Sequence, residues 1–218
     1  MSNTILKTSV AKRPFNRGFA FGLGALVIIA AAVLLDTKYV KIGSSDDVQQ
    51  KVFSKDEFGA AQFPTVQKFI LDHAVDARTL GAAIAADKTE AGKKYGMETT
   101  TGPVIPVTVS GVVGEAKSGI YQLAVDGLPD GTGVRVQLGP AINGTDLRDA
   151  DGEITFGQFT NQIEYQDAGS ALNNEMKKKV LSSVDPASLA GKKITVTGVF
   201  KLINPKNWLV TPVKLAVE

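Results

Sequence analysis

The chain carries three different hydrophobic patterns in succession. Residues 18–35, GFAFGLGALVIIAAAVLL, are apolar on every face, with no charge and no strong hydrogen-bonding side chain. As a helix this run spans about 27 Å, close to the hydrocarbon thickness of a bilayer. From Ser54 onwards the apolar positions recur every three or four residues. Ser54 and Glu57 have capping-box spacing, which predicts a helix start. Pro64 suits the first turn of a further helix, where a missing N–H costs nothing. Phe63, Val66, Phe69 and Ile70 then share one face. Asp76 suits the cap of another helix, with Leu80, Ala83 and Ile84 as its apolar side and an end near Lys94, before Gly96.

At Val104 the period changes to two. Ile105, Val107, Val109 and Val113 fall on one side of a predicted strand. IYQLAVDGL at 120–128 alternates in the same way, and Val134, Val136 and Leu138 share one face of VRVQLGP. EITFGQF at 153–159 is a further strand candidate. SALNNEMKKKVLSSVDP at 170–186 reads as a helix capped by Ser170, with Leu172, Met176 and Val180 every four residues, and Asp185-Pro186 ends it. KKITVTGVFKL and LVTPVKLAV close the chain as two strands. Short strands, one inserted helix and two final strands predict an α+β chain ending in a small antiparallel OB-like barrel. LAGKKITVTGVF at 189–200 resembles the strand that follows the helix in OB folds, where a glycine permits strong bending. The expected organisation is a basic tail at 1–17, a transmembrane helix at 18–35, a tether at 36–53, a helical region at 54–96 and the barrel at 104–218.

Charge sharpens this picture. Lys7, Lys12, Arg13 and Arg17 precede the apolar run without an acid among them. The net charge is +2, so the remainder carries +2 − 4 = −2. The positive-inside rule keeps the basic flank in the cytoplasm and places the body outside a bacterial inner membrane. A retained single-pass anchor is the expectation. A cleaved signal peptide ending at Ala30–Ala32 is the alternative, although Val33–Leu35 prolong the run beyond it. Residues 104–218 hold eleven Lys/Arg against twelve Asp/Glu. That balance argues against nucleic acid as a partner, which needs a strongly basic surface. With no cysteine in the chain, disulfides, thiol chemistry and lipidation at a lipobox cysteine are excluded.

The densest candidate chemistry is NGTDLRDADG at 143–152. Asn143-Gly144 predicts a turn. Arg148, flanked by Leu147 and Ala150, suits an inward bidentate pair with Asp146 or Asp149. The sharper reading makes Arg148, Asp146 and Asp149 a clamp for an anionic or hydroxyl-rich ligand, joined by Asn161, Gln162 and Tyr165. Asp149, Asp151 and Glu153 offer oxygens at spacings that suit an irregular Ca²⁺ site. An EF-hand is excluded, because Leu147 and Gln158 stand where ligands are required. No other cofactor is indicated. His73 is the only histidine, so a multi-histidine metal site is excluded. Trp208 is expected to pack against the barrel.

The sequence VRVQLGPAINGTDLRDADGEITFGQFTNQIEYQ at 134–166 resembles a bacterial family of predicted periplasmic lipoproteins with a domain of unknown function. So do DARTLGAAIAADKTEAGKKYG at 76–96, VSGVV at 109–113, ALN at 171–173 and NWLVTPVKL at 207–215. The resemblance implies a membrane attachment followed by an OB-like domain. It also implies a periplasmic accessory role, since members occur beside sugar-uptake transporter components. No activity is established for the family, so it supplies no catalytic residue. This chain departs from it in lacking the lipobox cysteine.

The leading expectation is therefore a membrane-anchored periplasmic accessory or binding module, without a catalytic signature, that contacts a transporter component or a small polar ligand. The alternatives are a carboxylate-based hydrolase acting on envelope glycans and an OB-type nucleic-acid binder.

Overall fold

The computed structural model describes residues 17–37 and 53–218. The expected basic tail and most of the tether lie outside the described residues. The chain divides into two compact units, the second running from Phe53 to Glu218.

In the first unit, helix α1 (Arg17–Asp36) carries no charge between its two end residues. Leu26, Val27, Ile28, Ile29, Val33, Leu34 and Leu35 are all exposed on it. Side chains at 17–21 and 23 are not described, and among the described residues no helix is long and apolar enough to cross a membrane.

The second unit begins with helix α2 (Lys55–His73), whose first free amides are served by the Ser54 hydroxyl, 3.4 Å from the Glu57 N–H. Pro64 lies inside this helix and does not start a new one. The carbonyl that Pro64 leaves unbonded belongs to Ala60, an exposed residue that water can serve. Burial of Phe63, Val66 and Ile70 against the body holds the helix continuous. Gln67 Nε2 donates to the Val213 carbonyl at 2.7 Å and fastens α2 to the barrel.

A two-residue strand β1 (Val75–Asp76) follows, then helix α3 (Ala77–Ala86), capped by Asp76, whose carboxylate accepts from the Arg78 and Thr79 amides. The single helix expected up to Lys94 is broken. Asp87 adopts an extended backbone and caps a separate helix, α4 (Lys88–Tyr95), by accepting from Thr89 and Glu90. A short acid with two downstream amides within reach competes well with helix continuation.

The barrel comprises β2 (Val104–Lys117), β3 (Ile120–Ala124), β4 (Gly133–Gln137), β5 (Lys193–Lys201) and β6 (Asn207–Val217). The sheet order is β1-β2-β3-β4-β6-β5, and β2 also pairs with β5, which closes the last five strands. Helix α6 (Gln162–Met176) lies between β4 and β5 and continues as a wider turn, Lys177–Leu181. This is the expected α+β arrangement with one inserted helix. The barrel is not wholly antiparallel, because β4 and β6 pair in parallel. The helix and β5 return the chain so that β6 enters beside β4 in the same direction.

Gly198 permits the bend foreseen in the strand after the helix. The β5–β6 register shifts at Thr197/Gly198. A Cβ at Gly198 would stand 2.2 Å from the Thr211 carbonyl oxygen, closer than a side chain allows. Trp208 is fully buried, stacked on Phe200 at 4.7 Å, and its Nε1–H donates to the Pro205 carbonyl.

EITFGQF is not a strand. Its polar backbone is served locally instead of by a neighbouring strand. Asp151 accepts from the Glu153 amide, Gln158 donates to the Glu153 carbonyl, and Phe156–Gln158 form a 3₁₀ turn. Helix α6 starts earlier than expected, at Gln162 rather than after Ser170. Asn161 caps it, accepting from the amides of Ile163 at 2.9 Å and Glu164 at 3.0 Å.

Candidate functional site: a charged cleft beside the barrel

The connection from β4 to α6 carries, before the 3₁₀ turn, a short α-helical turn, α5 (Asp146–Asp149). Leu147 is fully buried and anchors that turn in the core. Gln137 pins the preceding loop. Its Nε2 donates to the Asn143 carbonyl and the Thr211 hydroxyl, and its Oε1 accepts from the Asn143 amide. Asn173 of α6 holds the Gly144 carbonyl at 2.9 Å. Gly144 itself has φ +100°, as the Asn-Gly turn requires.

On this fixed turn Arg148 points inward. Its side chain is only 9% exposed, and Nε and Nη2 lie 2.8 and 2.7 Å from Asp149 Oδ1. Nη1 donates to the Tyr165 carbonyl at 3.1 Å, and the guanidinium lies 3.7 Å over the Tyr165 ring. Asp149 Oδ2 accepts from the Thr145 hydroxyl at 2.7 Å and faces Lys201 Nζ at 3.4 Å. Lys201 also faces Asp146 Oδ1 at 3.7 Å. Two cations and two carboxylates thus interleave, and Lys201 sits between the acids. Burial pushes the Asp146 carboxyl up to about 6. Lys201 opposes that rise and Asp149 adds to it.

The network forms one wall of a cleft of about 670 Å³. Gln162 and Tyr165 of α6, the exposed Phe156 and the Thr99–Thr101 loop also line it. Its walls combine fixed charges, several hydroxyls and two aromatic rings, a set that suits orientation of a polar molecule.

Of the residues singled out in the sequence, Arg148, Asp149, Gln162 and Tyr165 line this cleft. Asp146 lines an adjoining one. Asn161 lies at the cap of α6, with its side-chain oxygen committed to two amides. Asp151 is buried and occupied by the Glu153 amide, while Glu153 is exposed. Among the described residues no three His, Asp or Glu side chains are grouped to hold a metal ion. Lys201, Thr145 and Phe156 belong to the site and were not foreseen. Lys201 reaches Asp149 across 52 residues of sequence, so only barrel closure reveals it. Thr145, four residues before Asp149 on a turn, was legible in principle.

The family profile described as predicted periplasmic lipoprotein (DUF2291) matches residues 26–216. The chain belongs to this family. The DUF2291 match covers the barrel, the cleft and the helices before them, and membership places the body in the periplasm. The sequence of this DUF2291 member contains no cysteine. Its fold is similar to the crystal structure of an OB-fold protein from Thermotoga maritima, with a TM-score of 0.60 and 17% identity. That alignment covers 77% of this chain and 100% of the other. At that identity the likeness concerns the fold alone. No curated protein matches the chain.

Proposed function

We propose that this DUF2291 member is a membrane-anchored periplasmic module whose cleft binds a small polar ligand in support of a solute-uptake system. The observation that carries the binding reading is the Arg148–Asp149–Lys201 network, held rigid by Thr145, Tyr165 and the Gln137 clamp along one wall of an open cleft. Preoriented charges of this kind cost little to organise when a ligand arrives. The link to sugar uptake rests on the family resemblance. The hydrolase alternative is the weaker reading: Asp149 and Glu98 line the same cleft, but Asp149 is committed to Arg148, Thr145 and Lys201.

The anchor reading is supported by α1. A 20-residue helix spans about 30 Å, and its described large apolar side chains have no protein cover. Such a helix would replace the lipid that a cysteine carries in lipoproteins, with the basic tail cytoplasmic.

Four experiments test the reading: thiol labelling, carbonate extraction, a thermal-shift screen and a pull-down with tagged protein. The cysteine-free chain allows single thiols to be introduced, at Ser2 and at Ser182. An impermeant maleimide is expected to label Ser182→Cys in spheroplasts and Ser2→Cys only after lysis. Carbonate extraction should leave the chain in the membrane. Detergent-solubilised full-length protein, screened by thermal shift against sugars, amino acids and organic acids, should be stabilised by at least one class. No shift with any solute, together with no transporter component retained on the tagged protein, would overturn the binding reading.

A further inference from the structure

One stretch of the sheet keeps an open edge. The Glu218 N–H donates to the Lys193 carbonyl at 2.9 Å, which sets the phase of the β5–β6 ladder. In an antiparallel pair, residues that bond to the partner strand alternate with residues whose N–H and C=O point away from it. Lys214, paired with Thr197, and Ala216, paired with Thr195, share the phase of Glu218. Leu215 and Val217, paired with Val196 and Ile194, have the opposite phase. Their N–H and C=O therefore face the far side of β6. There β4 pairs only with Asn207–Val210, and Gln67 takes up the Val213 carbonyl. Among the described residues no strand pairs with that side of β6 beyond Val213. Val217 is 46% exposed, and Lys214, Ala216 and Glu218 are exposed as well.

We propose that this edge pairs with the same edge of a second copy of the chain, antiparallel and centred on Ala216. Phase and symmetry select the register. Outward-facing residues bond only to outward-facing residues, and a two-fold axis pairs the strand with itself. Gln67 closes the edge at Val213. The register that uses both open residues then sets Leu215 opposite Val217 of the second copy and Ala216 opposite itself. It also sets Lys214 of each copy opposite Glu218 of the other. These are non-hydrogen-bonded positions, where side chains across the seam stand closest. Lys214 makes no ion pair among the described residues. Glu218 accepts from Lys193 and Thr195, and a carboxylate has room for a further donor.

The same lysine argues against a foreign strand. Lysine and proline on an edge deter pairing with arbitrary chains. Pro212 and Lys214 both stand on β6. An arbitrary strand would leave Lys214 unmatched, whereas the chain's own edge supplies Glu218. Two paired residues a side make a small interface, so the association is reversible. The pairing goes beyond the ligand-binding reading and does not depend on it, since none of these residues lines the Arg148 cleft.

Disulfide trapping in cells that express the full-length chain tests the pairing. Ala216→Cys places the chain's only thiol on the two-fold axis, with the two Cα atoms about 4.5 Å apart, within disulfide reach. Oxidation with copper phenanthroline should give a disulfide-linked homodimer, in at least about fivefold greater yield than from Ser182→Cys. Lys214→Cys and Glu218→Cys should each fail alone, because equivalent positions lie about 13 Å apart along the seam. Co-expressed, the two should link to each other. In the Ala216→Cys background, Lys214→Glu should lower the yield at least about fivefold. Val217→Pro removes an outward N–H and leaves the β5 ladder intact, so it should abolish the dimer. Unchanged melting curves would confirm the folding of these variants, and Ala216→Cys alone decides if they unfold. A yield at 216 no greater than at 182 would overturn the pairing. So would an equal yield from Lys214→Cys alone, or linkage of Ala216→Cys to a protein of different mass.

Discussion

Arg148 and Asp149 are neighbours in the chain and partners in space: two guanidinium nitrogens converge on Asp149 Oδ1 at 2.7 and 2.8 Å in a nearly buried setting. Arg148→Ala would leave that carboxylate to Thr145 and to Lys201 at 3.4 Å, and would remove the cation from the Tyr165 ring. Breaking one side of a buried pair costs about 3 kcal/mol. Arg148→Lys should cost less than Arg148→Ala because a cation stays beside Asp149, but still destabilise, because an ammonium cannot serve Asp149 and the Tyr165 carbonyl in one forked geometry. The double substitution Arg148→Met/Asp149→Leu should recover most of the stability and none of the ligand binding. Urea unfolding of the three variants checks the order.

The Asp146 carboxyl gives the fold a pH dependence of defined sign. Its ordinary value of 3.8 is raised to about 6 in the folded protein. Between about pH 4 and 6 the folded state keeps a proton that the unfolded chain has released, so this group makes stability fall as pH rises through that window. The cost is on the order of 3 kcal/mol, complete above about pH 6 and absent below about pH 4. Asp146→Asn removes the titration. The difference in unfolding free energy between variant and parent should therefore shift in favour of the variant on going from pH 4.5 to 7.5. A difference that stays constant with pH would contradict the assignment.

The parts of this structure that were legible in the sequence are those governed by near neighbours. Val107, Val109 and Val113 alternate because successive strand residues face opposite sides, and all three are buried as that period requires. Asp76 announced a helix start because its acceptor lies two and three residues from the amides it serves. Helix α6 was placed too late for a related reason. Its first turns, QIEYQDAG, bury little, and Ile163 is 73% exposed, so apolar periodicity is faint there. The signal present was polar: Asn161 and Glu164 have cap spacing, and Glu164 also accepts from the Thr160 amide. Half of the site was beyond local reading. The turn with Arg148 and Asp149 was visible, but Lys201 is an ordinary strand-end lysine until β5 pairs with β2 and carries it to the two acids.

Asn161 offers a test that separates a structural from a binding role. Its side-chain oxygen serves the two amides that open α6. Asn161→Ala should cost about 1 kcal/mol, and Asn161→Asp or Asn161→Ser should restore most of it. If Asn161 acts only as a cap, ligand affinity at a temperature where all variants are folded should be unchanged. An affinity loss in Asn161→Asp without a stability loss would place the side chain in contact with ligand.

The seam between α2 and α6 depends on one missing methyl group. A Cβ on Gly59 would stand 2.6 Å from the Ala171 carbonyl oxygen and 3.4 Å from the Glu175 Cβ. Backbone oxygen cannot yield as a flexible side chain does, so the two helices would have to separate. On an exposed helix face Gly→Ala gains about 1 kcal/mol from helix propensity. At position 59 overpacking of about 1–3 kcal/mol opposes that gain. Gly59→Ala should therefore lower the melting temperature despite favouring the isolated helix. The loss should spread to the site, because α6 supplies Tyr165 to Arg148 and Asn173 to the Gly144 carbonyl. Hydrogen exchange resolved along the chain is the deciding measurement. Faster exchange at 144–149 as well as in α2 is expected, whereas protection lost in α2 alone would mean that the cleft turn stands independently of the helix seam.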